Sequence, residues 1–225
     1  SAERIFDDLT PLDGEMLASQ KYYFDVIMSP FKKYVRNAID KIRDLPIQVI
    51  CPSHGPVLRQ DPWGAVARYE AWAAEPAPVE PKRVFIGYVS CYGYTRLLAE
   101  EIYERCVRAG LNASLEELSE LSAEEAAARI TAADGVALGT PTVNRDALKP
   151  VWDVLTSLSP ILCQGKPGVA FGSYGWSGEG VRFVAARMKD LGFQLQAQVS
   201  ARFRPNAEEL ALAAQAGDAL AKCCK

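Results

Sequence analysis

The stretch "VFIGYVSCYGYTRLLAEEI", residues 84–102, changes its pattern halfway along. Residues 84–89 are an apolar run, whereas residues 95–109 carry apolar side chains at helical spacing. Between them, residues 90–95 form a short turn that bears hydroxyl groups and one glycine. The pattern predicts a strand, a turn and a helix. In open α/β sheets, ligands bind at the carboxyl ends of the strands, where this turn would lie.

The same alternation continues to the end of the chain and gives five strand–helix units. Strands are predicted at 84–89, 112–117, 135–139, 168–172 and 193–199, and helices at 95–109, 122–132, 150–158, 180–191 and 206–222. Short apolar strands that alternate with helices of 10 to 15 residues indicate a parallel sheet. Right-handed crossovers then place helices on both faces. The predicted fold is therefore α/β, a doubly wound five-stranded parallel sheet.

The first third of the chain has a different pattern. Helices are predicted near 16–28, 31–45 and 62–74, with one strand at 47–51. One strand without a partner cannot close a core with these helices, so we interpret residues 1–75 as the C-terminal part of a larger domain, or as a segment that packs on another element. The proline-rich residues 76–82 are predicted to be a linker, because proline stiffens the chain and removes backbone donors. Residues 83–225 form the second predicted domain.

Composition excludes several classes of protein. The chain has 225 residues, 49% of them hydrophobic, and a net charge of only -3 with both signs interspersed. The sequence has no basic cluster of the kind that indicates nucleic-acid binding. It also has no apolar run that approaches the roughly 20 residues needed to cross a bilayer. The first ten residues lack a signal-peptide pattern. The six cysteines have irregular spacing without C-x-x-C, which favours reduced thiols and a cytoplasmic location.

Loop 1, residues 90–95, offers neutral groups for an anion. Ser90 and Thr95 supply hydroxyls, Gly93 allows the backbone to bend, and the following helix presents free N–H groups at its N-terminus. The sequence is neither a P-loop nor G-x-G-x-x-G. Loop 1 therefore predicts a phosphate site without a lysine, and ordinary turn chemistry remains the alternative.

Loops 2 and 3 follow the third and fourth strands. Loop 2, residues 139–150, carries uncharged hydrogen-bonding groups and a proline, which suit the edge of a heterocycle or a sugar-like chain. Loop 3, residues 171–180, has the sequence "FGSYGWSGEG", in which glycines permit close backbone approach and two aromatic side chains offer flat faces. A phosphate site, a polar edge and an aromatic loop at one end of a sheet together predict flavin mononucleotide, FMN.

Three other interpretations of these sequence features are disfavoured by their own requirements. A G-x-S-x-G nucleophile elbow needs a glycine where Phe171 stands, and a histidine after the serine. A response-regulator receiver needs acidic residues where Ser90 and Thr140 stand. Thiol catalysis by Cys51 and His54 would need both side chains aligned and activated.

The three loops resemble those of one known family. "VSCYGYTRLLAEEI", "GTPTVNRDALKPV" and "FGSYGWSGEG" are similar to the FMN loops of flavodiiron proteins, also called A-type flavoproteins. Upstream, "YYFDVIMSPFKKYV" and "KIRDLPIQVICPSHGPV" resemble the end of that family's metallo-β-lactamase-like diiron domain. The resemblance implies that residues 1–75 are a remnant of that domain and that residues 83–225 bind FMN.

The resemblance also implies a role for individual residues. The phosphate would be held by Ser90, Thr95 and the backbone of 92–96, the ribityl chain and ring edge by loop 2, and the ring by loop 3. The residues assigned to FMN are Ser90, Cys91, Tyr92, Gly93, Tyr94, Thr95, Thr140, Pro141, Thr142, Val143, Asn144, Ser173, Tyr174, Gly175, Trp176 and Gly178. No residue of this chain is assigned to catalysis.

The "SHGP" histidine of the family is a ligand of a diiron centre, and here it is His54. This chain has a single histidine, which cannot supply the ligands of two irons. We therefore expect no iron in this chain as given, a metal role for His54 only in an intact protein, and a longer polypeptide from which these residues come.

By resemblance, the intact protein would reduce dioxygen or nitric oxide. Its FMN domain would receive electrons from a rubredoxin-like donor or its reductase, within a head-to-tail homodimer or tetramer. Two alternatives stay open: a free-standing flavodoxin-like carrier or NAD(P)H:quinone oxidoreductase, and an interaction module without FMN. Residues 1–75 disfavour the first, since such proteins need no lactamase-like segment.

Overall fold

The computed structural model describes residues 5–9, 14–74 and 80–224, and the chain divides into two compact units, residues 1–78 and 79–225. Part of the predicted linker 76–82 falls in residues 75–79, outside the described residues. The domain identities assigned from the sequence stay predictions. No helix among the described residues is long and apolar enough to cross a bilayer.

The first unit is mostly helical. Its elements are α1 (Gly14–Tyr23), a π-helical turn (Phe24–Met28), a 3-10 turn (Ser29–Phe31), α2 (Lys32–Ile42) and α3 (Pro62–Ala73). Asp61 starts α3, because its carboxylate accepts a hydrogen bond from the Gly64 N–H at 2.9 Å. The predicted strand 47–51 is wrong. Only Ile50 forms a bridge, to Leu58, because the described residues of this unit offer no strand that could extend the pairing.

The core of the first unit is small and incomplete. Its buried apolar residues are Phe24, Val35, Ile39, Val66 and Ala73. Beside them lies a cavity of about 550 Å³ whose lining is mainly apolar and includes Met28, Ile39 and Tyr69. Among the described residues, the helices of this unit therefore leave part of their apolar surface without a partner.

The second unit has the predicted α/β architecture. Its strands are β1 (Arg83–Tyr88), β2 (Asn112–Glu117), β3 (Gly135–Gly139), β4 (Thr142–Val143), β5 (Asp146–Ala147), β6 (Pro167–Tyr174) and β7 (Gln194–Arg202). Its helices are α4 (Tyr94–Arg108), α5 (Ala123–Ala132), α6 (Lys149–Ser157), α7 (Pro160–Cys163), α8 (Glu179–Asp190) and α9 (Ala207–Cys224). Five strands form one parallel sheet in the order β2-β1-β3-β6-β7, which confirms the predicted doubly wound sheet.

Both faces of this sheet are covered, as a parallel sheet requires. Alternate residues of β1 belong to opposite clusters: Phe85 packs on one face, and Val84 and Ile86 on the other. The helix ends follow the sequence as predicted. Ser122 and Glu125 form the capping box of α5.

The sheet continues beyond its strands at the carboxyl edge. The Val89 N–H donates to the Gly139 carbonyl and the Thr140 N–H to the Phe171 carbonyl, both at 3.0 Å. Gly172 lies so close to loop 2 that a Cβ there would be 1.8 Å from the Thr140 carbonyl oxygen. These contacts bring the three loops to a single edge of the sheet.

Candidate functional site

Side-chain hydrogen bonds join the three loops to one another. Thr95 of loop 1 and Ser173 of loop 3 share a hydrogen bond of 2.9 Å between their buried hydroxyls. The Gly180 N–H of loop 3 donates to the Thr142 hydroxyl of loop 2 at 3.1 Å. The residues predicted from three separate stretches of sequence therefore meet at one place.

Loop 1 has the geometry of an anion site. Gly93 takes a positive φ of 78° directly before α4 begins, and a Cβ there would meet no atom within 4 Å. The hydroxyl oxygen of Ser90 is buried and has no hydrogen-bond partner among the residues that the structure describes. An unpartnered buried hydroxyl is costly unless a ligand or water satisfies it. Together with the N-terminus of α4, these features fit a phosphate group.

Thr95 is placed differently from Ser90. Its side chain is fully buried and its hydroxyl already has a partner, Ser173. A hydroxyl donates one hydrogen but accepts more than one, so one member of the pair keeps a hydrogen for a ligand. Cys91, next to Ser90, is an exposed free thiol.

The end of β2 adds a carboxyl group beside loop 1. Partial burial raises the pKa of Glu117 above its ordinary value of 4.5. The Ser119 hydroxyl, 3.2 Å away, and the Ser90 backbone N–H both donate to this carboxyl and act in the opposite direction. The sequence analysis did not include Glu117, because only the parallel pairing of β2 with β1 brings it to this position.

Loop 2 contains a hairpin that the sequence analysis missed. β4 and β5 pair across Asn144 and Arg145, whose φ angles of 50° and 63° are typical of a type I′ turn. Asparagine tolerates this conformation, so Asn144 was a sequence signal for the hairpin turn, although a glycine would have been a stronger one. The Thr140 hydroxyl is used inside the loop, donating to the Pro141 carbonyl at 2.9 Å and accepting from the Leu148 N–H at 3.0 Å.

Loops 1 and 3 present aromatic side chains to the outside. Tyr92 is 84% exposed and Trp176 is 94% exposed, which is unusual for side chains with so much apolar surface. The ring of Tyr174 packs against the backbone of loop 3 itself, because a Cβ added to Gly178 would be 3.1 Å from that ring. Exposed flat rings beside close backbone are suited to a planar ligand that stacks.

A fourth connection also reaches this edge and was missed. The Phe203 N–H donates to the Tyr174 carbonyl at 2.8 Å, and the Arg202 Nε donates to the Gly175 carbonyl at 3.2 Å. The signal available was the position of these residues at the end of the fifth strand, which shares its carboxyl edge with the other four.

Among the described residues, no set of side chains fits a diiron centre. His54 is exposed in the first unit, and its ring lies 5.7 Å from that of Tyr23. Across the parts of the chain that the structure describes, no three His, Cys, Asp or Glu side chains are grouped to hold a metal ion. The metal role of His54 in an intact protein stays a prediction.

Fold and site together define a mononucleotide-binding α/β domain of the flavoprotein class. The chain belongs to the flavodoxin family, whose model matches residues 86–217. The predicted resemblance to flavodiiron proteins is confirmed by relatives that match along nearly the whole chain.

Three similar proteins illustrate this. Type A flavoprotein fprA of Rhodobacter capsulatus is 39% identical over 92% of this chain and 48% of its own length. Flavo-diiron protein FprA2 of Clostridium acetobutylicum is 34% identical over 97% of this chain and 56% of its own length. The solved rubredoxin oxygen:oxidoreductase of Desulfovibrio gigas is 27% identical with a TM-score of 0.64, covering 100% of this chain and 56% of the other. The chain therefore spans about half the length of these relatives.

Proposed function

We propose that residues 83–225 bind FMN and transfer electrons within a flavodiiron protein. The observation that carries the proposal is the buried, unpartnered Ser90 hydroxyl beside the positive-φ Gly93 and the start of α4. Membership of the flavodoxin family and the flavoprotein relatives support FMN as the cofactor. FMN, when bound, accepts and passes electrons singly or in pairs.

In this proposal, different residues bind the phosphate, the ribityl chain and the ring of FMN. Ser90 and the first N–H groups of α4 bind the phosphate. The Thr95–Ser173 pair offers one further hydroxyl hydrogen, and Thr142 and Asn144 would contact the ribityl chain and ring edge. Tyr92 and Trp176 cover the ring and limit its contact with water.

For the intact protein we propose reduction of dioxygen or nitric oxide at a diiron site to which His54 contributes. The name of the Desulfovibrio gigas relative supports a rubredoxin-like electron donor. We propose a cytoplasmic location and a head-to-tail homodimer or tetramer, with the flavin of one subunit near the irons of the next.

Comparison of FMN with riboflavin tests the phosphate site. Ser90→Ala removes a hydroxyl that has no protein partner, so the fold should keep its stability. A hydrogen bond to a charged group is worth about 1.5–3 kcal/mol, so we expect FMN affinity to fall by about 10- to 100-fold. Riboflavin affinity should not change, since riboflavin has no phosphate. Fluorescence titration of the purified chain measures both affinities.

Two further variants complete this experiment. Thr95→Ala should also weaken FMN more than riboflavin, with some loss of stability because Ser173 loses its partner. Ser157→Ala, at the end of α6 and outside the three loops, is the control and should change neither affinity. Equal weakening of FMN and riboflavin by Ser90→Ala would count against the phosphate assignment, and a chain that binds no flavin would favour an interaction module.

A further inference from the structure

Two residues at the end of β7 contact loop 3 from one side. Arg202 is the last residue of β7, and Phe203 follows it. The Phe203 N–H donates to the Tyr174 carbonyl at 2.8 Å, and the Arg202 Nε donates to the Gly175 carbonyl at 3.2 Å. Two consecutive carbonyls of loop 3, directly before Trp176, therefore accept hydrogen bonds from two consecutive residues.

Phe203 has an unusual conformation for a bulky side chain. Its φ is 60°, in the left-handed region that disfavours residues with a Cβ. The residue is 53% exposed, so burial in the core does not explain the conformation. Strained residues of this kind persist only where surrounding contacts hold them, and they are concentrated at functional sites.

The Phe203 ring lies against the backbone of loop 3. A Cβ added to Gly175 would be 3.1 Å from the ring, so the ring occupies the space beside that peptide. The guanidinium of Arg202 lies 5.8 Å from the centre of the same ring. The ring, the guanidinium and the two hydrogen bonds together restrict the backbone of Tyr174 and Gly175.

We propose that Arg202 and Phe203 are positioning residues for the flavin ring, because they fix the loop 3 backbone from which Trp176 projects. This inference rests on the proposed FMN site. The carbonyls that they contact belong to Tyr174 and Gly175, in the part of loop 3 that is assigned to the ring, so their effect concerns the ring. Loss of either should therefore weaken FMN and riboflavin to the same extent, in contrast to loss of the Ser90 hydroxyl.

The first variant is Phe203→Gly, which removes the ring and accepts the positive φ without strain. We expect it to weaken FMN and riboflavin alike, by about tenfold. We also expect a change in the visible circular dichroism of the bound flavin, because the asymmetric surroundings of the ring change. A side chain that serves stability alone would not alter this signal.

Three variants accompany it. Phe203→Tyr keeps the ring and should behave like the wild type, whereas Arg202→Met removes the donor to Gly175 and should reproduce the effect of Phe203→Gly. Leu212→Ala, an exposed apolar residue of α9, is the control and should change nothing. If Phe203→Gly fails to fold, Arg202→Met decides the question.

The outcomes separate this inference from the proposed function. A wild-type chain that binds no flavin overturns both. A wild-type chain that binds flavin, with unchanged affinity and unchanged circular dichroism in Phe203→Gly and Arg202→Met, overturns this inference alone. Loss of FMN affinity without loss of riboflavin affinity in those variants would also overturn it.

Discussion

The two units of this chain bury apolar residues to very different degrees. In the second unit a five-stranded sheet is packed between helices, and residues such as Leu98, Ile102 and Leu138 have no exposed surface. In the first unit Val35 and Ile39 keep 7% and 6% exposure and border a cavity of about 550 Å³. A parallel sheet covered on both faces completes its own core, whereas helices without a paired sheet leave a gap.

The same difference explains which unit can hold ligand-binding residues in fixed positions. The carboxyl edge of a packed sheet holds loops 1, 2 and 3 in fixed positions through hydrogen bonds. One example is the bond from the Thr140 N–H to the Phe171 carbonyl. The first unit has His54 on an exposed turn, where its ring lies 5.7 Å from that of Tyr23. Rigid elements place ligand-binding groups more accurately than loops do on their own.

A matched pair of core substitutions gives the largest expected effect. Ile102→Ala in the second unit should cost about 4 kcal/mol, since its side chain is fully buried and tightly packed. Ile39→Ala should cost the first unit about 2 kcal/mol, at the low end of the usual range, because its side chain already borders a cavity and loses fewer contacts. Hydrogen exchange measured by mass spectrometry reports on each unit separately. Equal losses would contradict the contrast between the units.

Gly172→Ala should cost the second unit about 3 kcal/mol. The added Cβ would lie 1.8 Å from the backbone oxygen of Thr140, which cannot rotate away as a side chain would. Urea denaturation measures the loss, and FMN affinity should fall with it. Gly14→Ala in the first unit is the control, because a Cβ there meets no atom within 4 Å. A stable Gly172→Ala variant would mean that β3 and β6 are not held as closely as described.

Lys166→Met should cost about 2 kcal/mol. The ammonium group donates to the carbonyls of Ile130, Thr131 and Ala133 at the end of α5, at 3.1, 2.5 and 2.7 Å. Methionine fills similar space but leaves these carbonyls without this donor, and unmade hydrogen bonds at buried groups cost about this much. Thermal denaturation measures the change, with the exposed Lys149→Met as the control. Equal stability of the two variants would exclude this role.

Glu117→Gln gives the smallest effect, a few tenths of a kcal/mol at most. Burial raises the pKa of Glu117 above 4.5, so the folded state favours the protonated form. That contribution is fully present below pH 4.5 and is lost as the pH rises through the raised pKa. Stability of the variant relative to the wild type should therefore increase with pH above 4.5. Glu208→Gln is the control, and a difference that does not vary with pH would contradict the prediction.

The sequence predicted the second unit well because its periodic patterns agree with its tertiary structure. Apolar runs and helix caps such as Ser122 with Glu125 are local signals, and here they agree with the tertiary structure. The strand predicted at 47–51 failed because strand formation depends on a partner, which local pattern does not reveal.

The site was predicted at the level of loops more than of individual contacts. Ser90 and Gly93 were recognisable from residue type and position. The mutual bond of Thr95 and Ser173, and the contacts of Arg202 and Phe203 with loop 3, join residues that are far apart in the chain. Such pairings follow from the register of the strands, which the sequence does not state.

The hydroxyl pair of Thr95 and Ser173 has a consequence for how the carboxyl edge of the sheet can adapt to a ligand. Either oxygen can act as the donor, so the pair exists in two proton orders that interconvert by rotation of two light atoms. In one order the spare hydrogen belongs to loop 1, and in the other to loop 3. The protein can thus redirect a single polar hydrogen between neighbouring loops while every heavy atom stays in place.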